Sequence, residues 1–85
     1  MGNTSSALKR MRQNDKRRAR NRTIRSKVRT VVKTARTALG EGGDAKPAVL
    51  AAIRALDKAV SKGVIHRNTA ARKKSALARR LAAHA

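Results

Sequence analysis

Apolar positions recur at helical spacing over most of the chain. Ile24, Val28, Val31, Val32, Ala35 and Leu39 advance in steps of three and four and share one side of a 3.6-residue wheel. A second stripe runs through Val49, Ile53, Leu56 and Val60, with Leu50 beside it. A third, sparser ridge is Leu77 and Leu81, bordered by Ala70, Ala71, Ala78 and Ala82. Alanine at such positions lets helices approach closely. No segment alternates apolar and polar residues with the period of two that a half-buried strand requires.

Two breaks separate the stripes. GEGGDAKP (40–47) carries the single proline and reads as a turn. KGVIHRN (62–68) contains Gly63, which can take the left-handed conformation that ends a helix. The pattern predicts helices over about 5–39, 45–61 and 69–83 in a single domain, 1–85. Thr4, Ser5 or Ser6 is expected to cap the first helix, Asp44 the second and Asn68 the third. Pro47 falls in a first turn, where its missing N–H costs little. Val64 and Ile65 are expected to plug the end of the bundle. The fold class is all-α: a three-helix bundle with antiparallel neighbours joined by short loops.

The helices are unequal. Two short ones cover only half of the first, and the apolar stripe lies in its C-terminal half. Before Ile24 only Leu8, Met11 and Ala19 interrupt the polar residues. The N-terminal half is therefore expected to project as an uncovered basic rod.

Charge sharpens this picture. The formal net charge is +19, and the first 39 residues hold thirteen Lys or Arg against one acid, Asp15. A small domain needs only about 2–8 charges for solubility, so the excess points to a polyanionic partner. Residues 13–27, QNDKRRARNRTIRSK, carry cations on every side of the wheel, with like-charge pairs four apart at Lys16/Arg20 and Arg18/Arg22 and a third, Arg25/Arg29, running just past the stretch. Each pair costs about 0.2–0.5 kcal/mol in an isolated helix. The rod should fray when free at low salt and become helical against its partner. Charge on several sides suits a folded RNA better than one straight duplex.

Phe, Tyr, Trp and Cys are absent. Disulfides and thiolate metal sites are thereby excluded, and His66 and His84 are the only rings left for base stacking. Readout is expected to rest on phosphate, sugar and groove shape, with Arg forks, fourteen against nine Lys, carrying most contacts. No apolar run approaches the ~18 residues of a membrane span, and no secretory hydrophobic region is seen, so a cytoplasmic location is expected.

SALKRMRQN (6–14), NRTIRSKVRT (21–30) and KGVIHRNTAARKKSAL (62–77) resemble bacterial ribosomal protein S twenty of the small subunit. The likeness spans nearly the whole chain, and the last motif is the most specific. It implies a three-helix protein that binds small-subunit ribosomal RNA directly and early in assembly. It further implies a place low on the subunit body, against the 5′ domain and the long penultimate stem. Carried onto matching positions, it implies RNA contacts at Lys9, Arg10, Arg12, Asn14, Asn21, Arg22, Arg25, Ser26, Lys27 and Arg29. The same applies to Lys62, His66, Arg67, Asn68, Arg72, Lys73, Lys74 and Ser75. The basic run adds Lys16, Arg17, Arg18 and Arg20 as candidates. The start, MGNTSS, departs from the family's usual beginning, so no contact is assigned to residues 2–5.

Competing readings are weaker. MGNTSS also fits the loose myristoylation pattern, but an ordinary helix start accounts for it. GEGGDAKP lacks the ending and the preceding strand of a phosphate loop. His66 has no second ligand at metal-binding spacing. The acids stand singly, with Asp15 expected to pair with Arg12, Lys16 or Arg18 and Asp57 with Arg54. No catalytic residue, cofactor or metal is assigned, and the protein is read as no enzyme. Lys46, Arg54 and Lys58 are spaced like ordinary surface charge. A DNA-compacting nucleoid protein is the alternative, but no single basic face or minor-groove wedge supports it. A membrane-active helix would need a wide apolar face that residues 9–22 lack. Neighbouring ribosomal proteins come second as partners; no membrane or small-molecule substrate is expected.

Overall fold

A computed structural model describes residues 4–84. The myristoylation pattern, which turns on Gly2, lies outside them. The described chain forms α1 (Ser5–Gly40), α2 (Lys46–Ser61) and α3 (Arg67–Ala83), joined by two short loops. At ~1.5 Å per residue α1 is about 54 Å long and the other two about half that, and the molecule measures 65 × 20 × 13 Å.

α2 lies against α1 and also carries most of the contact with α3, while α1 and α3 touch least. The chain direction follows from one long-range contact. His84 Nε2 lies 2.6 Å from the carbonyl oxygen of Gly43, so the end of α3 returns to the α1–α2 loop. Each short helix is thus antiparallel to its predecessor.

The core is aliphatic and narrow. Val28, Val32, Ala35 and Leu39 of α1 meet Ala45, Val49, Ala52, Leu56 and Ala59 from the second helix and its cap, with Ala70 and Leu77 of α3 completing the cluster. Leu56 and Val49 are fully enclosed. The stripe expected on α2 is only partly the buried one. Ile53 and Val60 pack at the margin, whereas Ala52 and Ala59 are wholly buried. α2 is sandwiched between two helices, and small side chains on its central line permit both approaches. On α3 only Ala70 of the four flanking alanines is buried; Ala71, Ala78 and Ala82 are exposed.

Helix ends explain the loops. Thr4 Oγ1 accepts from the Ala7 N–H at 3.3 Å and caps α1. The α2 cap is Ala45, not Asp44. Asp44 instead accepts from the Lys46 N–H at 3.2 Å, one position too early to be the cap itself. The C-terminus of α2 is a Schellman closure. The Gly63 N–H donates to Val60 and the Val64 N–H to Ala59, both at 2.9 Å. Gly63 has φ +73° there, a left-handed value that explains the glycine. Val64 is buried by this closure and Ile65 packs against the core. α3 starts at Arg67, two residues before the expected start. Its cap is His66 rather than Asn68: the imidazole Nδ1 accepts from the Asn68 N–H at 3.1 Å.

Candidate nucleic-acid interface

Every residue from Leu8 to Arg20 is exposed, including Leu8 at 45% and Met11 at 61%. The reason lies in the seam of α1. The side that carries Val28 and Val32 continues toward the N-terminus through Asn21, Arg17, Asn14 and Arg10, at helical repeats of seven, eleven, fourteen and eighteen residues. Beyond Ile24 the seam therefore offers polar and cationic groups where it had offered valines. Neither α2 nor α3 could bury it without desolvating charge.

Among the described residues the rod's cations form no ion pair. Among the described residues the one ion pair is Lys74–Asp57, 2.7 Å, which ties α3 to α2. Asp15 makes none. Its neighbours four positions away are Met11 and Ala19, and Arg12 and Arg18 three away do not close on it. Asp57 likewise leaves Arg54, its neighbour on the same helix, for a lysine presented directly from α3.

Among the residues expected to touch RNA, Lys9, Arg10, Arg12, Asn14, Lys16, Arg17, Arg18, Arg20, Arg22, Arg25, Ser26, Lys27 and Arg29 are exposed on α1. Asn21 is half-buried at the point where the apolar seam ends, and its Oδ1 is enclosed without a hydrogen-bond partner among the described residues. The carbonyl end of Asn21 thus faces inward. Around α3, Lys62, His66, Arg67, Asn68, Arg72, Lys73 and Ser75 are exposed. Lys74 is half-buried and its ammonium is engaged by Asp57. With Nδ1 of His66 accepting from the helix, Nε2 is the ring nitrogen left to carry the proton and point outward.

The two basic clusters meet in one place. A groove of about 390 Å³ between α1 and the start of α3 is lined by Arg25, Arg29, Lys33 and Arg36 on one side and Ile65, Thr69 and Lys73 on the other, over Val28 and Val32. Lys33 and Arg36, which line this groove, are not among the residues expected to touch RNA. Arg25, Arg29, Lys33 and Arg36 advance by four, four and three and form one row.

The face of α1 opposite the core is of another kind. Thr23, Thr30, Thr34 and Thr37 each donate their hydroxyl to the carbonyl four residues back, at 3.0 Å. Their hydrogens are satisfied within the helix, which leaves that stripe neutral and flanked by cations. Among the described residues no helix is long and apolar enough to cross a membrane, and no three of His, Asp or Glu gather as a metal site.

The sequence is similar to those of known proteins. The family model described as Ribosomal protein S20 matches residues 2–82. The small ribosomal subunit protein bS20 of Anaeromyxobacter sp. (strain Fw109-5) is 56% identical over 81 residues, covering 93% of this chain and 90% of that protein. The protein of the same name from Thermobifida fusca is 50% identical over 84 residues, covering 95% and 90%. That of Streptomyces griseus is also 50% identical over 84 residues, covering 96% of both chains. With the family model and these relatives all spanning the bundle and its basic rod, the chain belongs to the ribosomal protein S20 family.

Proposed function

We propose that this chain is a structural constituent of the small ribosomal subunit, in the cytoplasm, and that it binds small-subunit ribosomal RNA directly. The observation that carries the reading is the cationic rod of α1, exposed from Leu8 to Arg20 with no ion pair to it among the described residues. A helix so charged is incomplete in water, and phosphates on several sides complete it. The rod residues, together with the exposed cations at the start of α3, make phosphate and sugar contacts that hold adjoining RNA helices at a fixed separation. The packed body supplies the rigid end of the lever. Family membership supports the ribosomal partner, since the relatives are named for the small subunit.

DNA compaction is disfavoured by the same geometry. A straight duplex meets one face of a helix and would leave the cations of the far side unneutralised. The deciding experiment is sedimentation of the tagged chain from lysed cells through sucrose. Co-migration with the small subunit after a high-salt wash is expected. Recovery with DNA or lipid, and absence from the subunit, would contradict the reading.

A further inference from the structure

The groove between α1 and α3 differs from the rod in having a floor. Val28 and Val32 are 5% and 4% exposed at its base, and Ile65 forms the end wall. Its rim is cationic on both sides, with Arg25, Arg29, Lys33 and Arg36 facing Lys73, and no acid lines it. A duplex presents its phosphates outward and its bases inward, so it would use the rim and leave the half-buried Ile65 uncovered. A nucleotide turned out of its helix would use both.

We propose that this groove seats one unstacked nucleotide of the bound RNA. The base lies against half-buried Ile65, above the closed-over Val28 and Val32, beside the Arg25 and Arg29 guanidinium planes, which can stack on a base where Phe, Tyr and Trp are absent. The flanking phosphates are held by Lys33 and Arg36 from α1 and Lys73 from α3. Thr69 offers its hydroxyl at the mouth. The proposal rests on the RNA-binding reading above but goes beyond phosphate contact: it adds a base-sized site and two cations, Lys33 and Arg36, on a part of α1 remote from the rod.

Two measurements test it with the full chain and a transcript of the small-subunit ribosomal RNA. In the first, Lys33→Gln/Arg36→Gln is compared with Lys46→Gln/Arg54→Gln, an equal charge loss on exposed positions of α2 outside the groove. The groove pair should weaken binding at least tenfold and reduce the salt slope by about 1.4, two single-strand phosphates at ~0.7 each. The α2 pair should change affinity less than about twofold. Equal losses for both pairs, or none for the groove pair, would overturn the proposal. In the second, Thr69→Cys, the single cysteine of an otherwise cysteine-free chain, carries a short photo-crosslinker. Crosslinks should map to one unpaired nucleotide, and Ile65→Ser should lower their yield. Crosslinks spread along a paired helix, or to no RNA, would refute the seated nucleotide. If the wild-type chain fails to bind the transcript, the RNA-binding reading itself fails; if it binds and the groove variants behave as the controls do, only the groove assignment does.

Discussion

Leu56→Asp is expected to abolish the cooperative thermal transition of the protein and most of its helical circular dichroism. Leu56 is the largest fully enclosed side chain, at the centre of the helix that both others pack on. Removing a buried leucine side chain alone costs about 2–5 kcal/mol. An unpaired carboxylate in its place adds the cost of desolvating a charge among aliphatic groups. A chain of this length has only about 4–13 kcal/mol of stability in total, and the rod residues contribute little packing to it. No aromatic, disulfide or metal stands in reserve among the described residues. Met11→Asp is the matching control. Met11 is 61% exposed on the rod, and its replacement should alter stability by less than about 0.5 kcal/mol. Unchanged melting of Leu56→Asp would show that α2 is not the centre of the fold.

Replacing Arg17, Arg18, Arg20 and Arg22 together by Gln is expected to separate binding from folding. All four are exposed, and none is ion-paired among the described residues. Four phosphate contacts correspond to a fall of about 2.8–3.6 in the slope of log K against log salt. Taken alone, that counterion term weakens binding to small-subunit ribosomal RNA roughly 10³-fold at 0.1 M salt. Helicity of the free protein at low salt should move the other way. The like-charge pairs Lys16/Arg20 and Arg18/Arg22 disappear, relieving about 0.2–0.5 kcal/mol each. Weaker binding with a firmer helix is the mark of charges placed for a partner. A slope equal to that of the wild-type chain would show that the rod does not meet phosphates.

The three helices were legible because their apolar residues repeat at 3.6 and their breaks carry glycine or proline. The projecting rod was legible for a related reason: residues 9–22 hold too few apolar groups to be covered. What escaped was set by contacts between elements. The seam of α2 runs through Ala52 and Ala59 rather than Ile53 and Val60. Closeness of approach on two sides decides burial there, and side-chain size misleads. Lys74 claims Asp57 across seventeen residues, a pairing that local spacing could not show. The cap of α3 escaped because imidazole is an unusual N-cap and Asn68 a favoured one. The groove belongs to neither helix alone; it exists only because the start of α3 lies along residues 25–36 of α1.

The account stands on the claim that the basic half of α1 lacks counter-charges until RNA supplies them. Amide hydrogen exchange across residues 9–22, measured in low-salt buffer without and with small-subunit ribosomal RNA, tests it most directly. Fast exchange in the free chain, against slow exchange in Val28–Leu39 of the same helix, should give way to strong protection throughout when RNA is bound. Equal protection of residues 9–22 in both states, or exchange that stays fast in the complex, would contradict it.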